Sequence, residues 1–204
     1  MSFDTAIPVV SIVGKSDSGK TTFLEKLIRV LTARGWRVAT AKHHVHDFDI
    51  DVPGKDSWRH AHAGAIATMV VSPAQFALMR DVEREYTLEE LAEQAAEAGA
   101  DILLTEGFKR VARVRVEVSR AERSSELIST AEDLVALVTD VPQDIRGVPV
   151  FALGDAQGVA DLVERQFLGG PNARPERRGA QREGSDTGSH AEHLPIESGA
   201  NDGN

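Results

Sequence analysis

The chain has 204 residues, a formal charge of −9 and no cysteine. An acidic balance without a clustered basic face argues against a nucleic-acid partner, and the missing cysteines exclude disulfides and thiolate metal sites. No apolar run reaches the length of a membrane span, and the N-terminus lacks the basic-then-apolar order of a signal peptide. The expectation is a cytoplasmic protein with no membrane association.

Residues 7–13 ("IPVVSIV") are β-branched and apolar, which suits a strand buried on both faces. Phe23, Leu24, Leu27, Ile28 and Leu31 recur at helical spacing, and Gly35 ends that helix. "WRVATAK" (36–42), "AIATMVV" (65–71) and the short "QFALMR" (75–80) read as strands. Thr87 and Glu90 form a capping box ahead of "LEELAEQAAEA", which stops at Gly99. "DILLTE" (101–106), "RVRVEVS" (113–119), "LVALVT" (134–139) and "VPVFAL" (148–153) are further strands, and "GVADLVERQFL" (158–168) is a closing helix. This alternation predicts an α/β fold, a doubly wound, mostly parallel sheet with helices on both faces. Ligands of such sheets sit at the carboxyl ends of the strands. Residues 1–168 form the expected domain, and 169–204, rich in Gly, Pro, Ser and mixed charge, are the expected disordered C-terminal tail.

The first strand breaks into Gly14-Lys15-Ser16-Asp17-Ser18-Gly19-Lys20-Thr21, followed by Thr22 and the helix. This is G-x-x-x-x-G-K-[ST], the P-loop, in its required place between strand and helix. Glycines let the backbone curl so that successive N–H groups face phosphate oxygens, and the helix dipole adds to the same spot. Lys20 is expected to reach the β- and γ-phosphates and Thr21 to place its hydroxyl on Mg²⁺. The motif does not choose between ATP and GTP. "ILLTE" resembles a Walker B strand whose terminal acid, Glu106, supports Mg²⁺ or its water. Asp101 opens the same strand at the end away from the site, which reads as structural.

The segment "KHHVHDFDIDVPGKDSWRHAHAG" (42–64) holds five of the seven histidines with Asp47, Asp49, Asp51 and Asp56. Imidazole with carboxylate suits a metal, and Lys42, His43 and Lys55 equally suit an anionic phosphate ligand. The metal candidates are Thr21, Glu106 and Asp51. For a carried transition metal they are His43, His44, His46 and Asp47.

With "GKSDSGKTTFLEKLI", "KHHVHDFDIDVPGKDSWRHAHAGA" and "LLTEGFK" in that order and spacing, the chain resembles the MobB family of molybdopterin-guanine dinucleotide biosynthesis adapter proteins. The likeness covers residues 7 to about 110. Val45 stands where the family more often has histidine, and Thr105 where an aliphatic residue is usual. The resemblance implies a P-loop NTPase-type fold, GTP as ligand, weak GTPase activity, and Lys20 and Glu106 as the catalytic pair. It implies as partners the guanylyltransferase (MobA) that joins GMP to molybdopterin, molybdopterin or its molybdenum form, and a second copy of the chain. N-K-x-D, the usual guanine reader, is absent; Asp140 is the preferred substitute and Asp155 the other. Two rival readings use the same residues. One is a GTP-dependent metallochaperone, which the lack of cysteine disfavours; the other is a small-molecule kinase, which the lack of an arginine-rich lid disfavours.

Overall fold

A computed structural model describes residues 5–44, 50–123, 126–170 and 173. Eight strands and four helices follow in the order β1 (Val9–Val13), α1 (Lys20–Ala33), β2 (Val38–Lys42), α2 (Asp56–His62), β3 (Ala67–Val71), β4 (Phe76–Arg80), α3 (Leu88–Glu97), β5 (Ile102–Glu106), β6 (Arg115–Ser119), β7 (Leu134–Thr139), β8 (Val150–Phe151) and α4 (Ala156–Phe167). Six of the strands form one sheet in the order β2-β5-β1-β6-β7-β8, every pair parallel.

Strand periodicity decides which helix covers which face. Val10, Ile12, Ile102 and Leu104 point to one side and pack on Phe23, Leu24, Leu27 and Leu31 of α1 and on Val159, Ala160 and Val163 of α4. Val9 and Leu103 point to the other and meet Leu88, Ala92 and Ala95 of α3. The sheet is therefore doubly wound, as the alternation of elements predicts. From β1 the chain runs to β2 on one side, whereas β6 leads to β7 on the other, so the topological switch point lies between β1 and β6.

Thr105 is fully buried, and its hydroxyl shares a 2.7 Å hydrogen bond with that of Ser11 directly opposite on β1. Two buried hydroxyls satisfy each other there, which accounts for the polar residue in an otherwise aliphatic strand.

Three expectations are corrected. "AIATMVV" and "QFALMR" do not join the main sheet: β3 and β4 pair with each other, antiparallel, as a separate two-stranded hairpin. A turn of only four residues, closed by Ser72 N–H donating to the Gln75 carbonyl at 2.9 Å, permits no other pairing. Within 42–64 the structure has a helix, α2, entered from the turn at Pro53–Gly54, where Gly54 has φ +85. The closing helix begins two residues earlier than the periodicity suggests, because Asp155 caps it by accepting from Gly158 N–H at 2.8 Å. The capping box of Thr87 and Glu90 is formed as read, and Arg84 with the Thr87 amide holds the Glu90 carboxyl down at about 2. Of the expected tail, all but Gly169, Gly170 and Ala173 lies outside the described residues.

One buried carboxylate ties α1 to α4. Glu164, 0% exposed, accepts from Trp36 Nε1 at 2.7 Å and from Arg34 Nη1 at 2.9 Å. Arg34 also meets Asp161 at 2.7 Å and Gln157 at 2.7 Å. Removing one partner of such a pair leaves a buried charge and donor stranded, which costs about 3–5 kcal/mol. Glu164→Ala should lower urea-unfolding stability by that amount, and Glu164→Gln, which keeps an acceptor for Trp36, by about 1–2 kcal/mol.

Candidate functional site

Parallel register sets the site. Ile12 of β1 and Lys42 of β2 both lie opposite Glu106 of β5, so three strands end at the same level. The P-loop leaves β1 at Gly14, whose φ is +144 and where a Cβ would stand 2.3 Å from the Val118 carbonyl oxygen. Only glycine lets the loop pass β6 so closely. Asp17 holds φ +58, a left-handed conformation that short polar side chains tolerate. Gly19 then opens α1, its carbonyl accepting from Phe23 N–H at 2.9 Å.

The motif side chains fold inward. Lys20 Nζ donates to the Lys15 carbonyl at 2.6 Å, closing the loop on itself. Thr21 Oγ1 lies 2.9 Å from each carboxylate oxygen of Glu106, which is 9% exposed. Lys42 Nζ stands 3.8 Å from Glu106 Oε1. Burial lowers the Lys20 ammonium below the ordinary lysine range; Lys109 and Lys42 push it the same way, against Glu106 and Asp17. At one edge of the loop Lys20 thus lies among two further ammonium groups, Lys42 and Lys109, with Glu106 and Asp17 as opposing carboxylates. At the other edge Lys15 pairs with Glu126 at 2.8 Å, which holds the Glu126 carboxyl below its usual range, and Asp17 lies 3.8 Å from Arg123. Ser16 and Thr22 are exposed, whereas Ser18 is buried.

His43 is drawn into this cluster, though not as a free ligand. Its amide donates to the Glu106 carbonyl at 2.9 Å, its Nε2 meets Glu85 Oε1 at 2.8 Å, and its ring lies 5.1 Å from that of Phe108. Gly107 (φ +97) and Phe108 (φ +53) turn the chain back under it. Lys55 is exposed at the N-cap of α2, and no described side-chain bond ties it to the P-loop. Asp51 Oδ1 accepts from the Val52 amide at 2.8 Å, and no described bond joins Asp51 to the Thr21–Glu106 pair. His46 and Asp47 lie outside the described residues, among which no group of three or more His, Asp and Glu is arranged to hold a metal. Of the guanine candidates, Asp140 is exposed at the end of β7 and accepts from the Ala121 amide at 2.8 Å, while Asp155 is taken up as the α4 cap.

Sequence reading missed Glu85, Phe108 and Lys109. The only local signal was the "GFK" that follows Glu106; Glu85 reaches His43 from before α3, a pairing no local pattern encodes.

The family model described as "MobB: Molybdopterin guanine dinucleotide synthesis protein B" matches residues 9–140. The molybdopterin-guanine dinucleotide biosynthesis adapter protein of Escherichia coli is 38% identical over 168 residues, 80% of this chain and 95% of its own. That of Haemophilus influenzae is 37% identical over 158 residues, 78% of this chain and 88% of its own. The crystal structure of Bacillus subtilis MobB superposes with a TM-score of 0.65 at 30% identity, over 79% of this chain and 98% of that one. No helix among the described residues is long and apolar enough to cross a membrane. By the extent of the family match and by these relatives, the chain belongs to the MobB family.

Proposed function

We propose that the protein is a GTP-binding adapter with slow GTPase activity. It serves the guanylyltransferase (MobA) that joins GMP to molybdopterin, in the cytoplasm. The observation that carries this reading is the convergence of Lys20, Thr21 and Glu106 at the level ends of β1 and β5. Lys20 is a cation lowered by burial and by two neighbouring lysines, which a polyphosphate would relieve. The Thr21 hydroxyl and Glu106 carboxylate are hard oxygen donors 2.9 Å apart, a pair that fits Mg²⁺. When bound, Mg²⁺ neutralises charge on the β- and γ-phosphates. The chain itself supplies the backbone cradle, the Lys20 charge and, through Glu106, an acceptor that orients a water. Lys42, with His43 and the excess of positive charge beside it, suits the phosphate of the pterin next to the nucleotide.

A homodimer fits the hairpin. Met69, Val71, Phe76 and Leu78 pair across β3 and β4 on one face and are all exposed. An isolated two-stranded hairpin is marginal in water, and a contiguous apolar face of this kind marks an interface. Sedimentation velocity should give twice the chain mass for the wild type and a shift toward monomer for the double variant Val71→Asp, Phe76→Asp.

Lys20→Ala should weaken Mg-GTP binding about tenfold to a hundredfold with little change in melting temperature, the loss expected for a charge-assisted contact. A phosphate beside Lys20 raises the pKa that burial lowers, so binding takes up a proton between the free and bound pKa values. Affinity therefore falls as pH rises through that window. Isothermal calorimetry in buffers of different ionisation enthalpy reads both effects, and Lys20→Ala should abolish the proton uptake. Unchanged affinity in Lys20→Ala would overturn the nucleotide reading. For base choice, Asp140→Asn should weaken GTP more than ITP, which lacks the N2 donor; the ratio of the two affinities in wild type and variant decides it.

A further inference from the structure

At the switch point the chain places a group that the P-loop motif does not contain. Arg120 directly follows β6, the neighbour of β1. Its guanidinium lies against Gly19: a Cβ built there would sit 3.4 Å from Nε, 3.6 Å from Cζ and 3.6 Å from Nη2. Arg120 Nε is buried and makes no hydrogen bond, and so is Ser18 Oγ, on a residue 1% exposed. Both residues line the same small depression beside the loop, with Lys15, Arg123 and Glu126.

A buried donor without a partner is costly, and a charged group more so. Two such groups lie against the loop that curls around phosphate, beside the N-terminus of α1. Lys20, Thr21 and Lys15 have internal partners in this structure: Lys20 on the Lys15 carbonyl, Thr21 on Glu106, Lys15 on Glu126. Arg120 is the cation whose Nε remains unmatched. Gly19 has no side chain between that guanidinium and the amides of Gly19 and Lys20. A larger residue there would meet the guanidinium at van der Waals distance and would be strained at φ +93.

We propose that Arg120 is a nucleotide-contacting arginine supplied in cis, its guanidinium donating to the phosphate chain of the nucleoside triphosphate held by Gly19 and Lys20. The planar fork can give two N–H bonds to phosphate oxygens, which an ammonium cannot match. Phosphate charge close to Arg120 compensates the buried Nε–H and adds to the lysines on the β5 side, so the triphosphate is gripped from both flanks of the loop. The inference rests on the P-loop reading above and extends it to a residue from a different strand.

The test compares wild type, Lys20→Ala, Arg120→Ala, Arg120→Gln and Arg120→Lys by calorimetry with Mg-GTP and Mg-GDP, with melting temperature measured on each. Arg120→Ala and Arg120→Gln should each weaken GTP by about tenfold or more, as the loss of a charge-assisted pair requires, with melting temperatures near wild type. Arg120→Lys should recover part of the loss by restoring charge without the fork. Arg120→Gln keeps much of the stem and its packing, so GTP affinity equal to wild type in that variant would assign Arg120 to packing and overturn the proposal. If Arg120→Ala fails to fold, the glutamine and lysine variants carry the comparison. Wild-type affinity in all three Arg120 variants alongside weak binding in Lys20→Ala would sink this inference and leave the P-loop reading intact. If the wild type does not bind Mg-GTP, both fall.

Discussion

The parallel register of β2, β5 and β1 is the constraint on which the site depends. It places Glu106 opposite both Ile12 and Lys42, so one carboxylate meets the P-loop hydroxyl of Thr21 and the ammonium of Lys42 at once. A slip of one residue along β5 would turn Glu106 to the other face and bring Thr105 into its place. The buried hydrogen bond between Ser11 and Thr105 opposes that slip, since either hydroxyl facing an aliphatic neighbour would lose its partner. A polar pair inside the sheet therefore fixes the alignment of the acid one residue further on.

The helix that carries the site is held from its far end. Its first turn supplies the amides and the side chains of Lys20 and Thr21, and its last residues lead into Arg34 and Trp36, which Glu164 fastens to α4. Phe23, Leu24, Leu27 and Leu31 pack between those two ends. The N-terminus of α1 is thereby set by a buried network at the opposite end of a 14-residue helix, about four turns from the P-loop, and a loop rich in glycine can remain precise because its two anchors, β1 and α1, are rigid.

What could be read in the sequence was whatever a local pattern encodes. Gly14 to Thr21 declares a backbone that curls, "ILLTE" a buried strand ending in an acid, and Thr87 with Glu90 a helix start. What could not be read depends on residues distant in the chain. Glu85 reaches His43, Arg120 lies on Gly19, and Ser11 satisfies Thr105; each joins elements whose adjacency follows only from strand order. The hairpin is hard to place for a different reason: "AIATMVV" is as apolar as a central strand, and only its short turn to β4 shows that it pairs locally. Asp155 reads in the sequence as the second candidate for the base; that it caps α4 depends on the backbone amide of Gly158, which no side chain there signals.

The two kinds of ion pair in the molecule differ in what they allow. Glu164 is fully buried and its pair with Arg34 cannot open without stranding charge, so it belongs to the permanent frame. Around the P-loop the pairs are of the other kind. Lys15 and Glu126 have side chains 36% and 83% exposed, and Arg123 with Asp17 is more open still on the cationic side, at 55%. Exposed pairs of this sort contribute little, less than a charge-assisted bond to phosphate. On the nucleotide reading proposed above, a triphosphate entering the loop would displace Glu126 from Lys15 at small cost, while the frame behind it stays fixed. On that reading the acidic side chains would act as exchangeable counter-charges that balance Lys15 and Arg123 beside the loop.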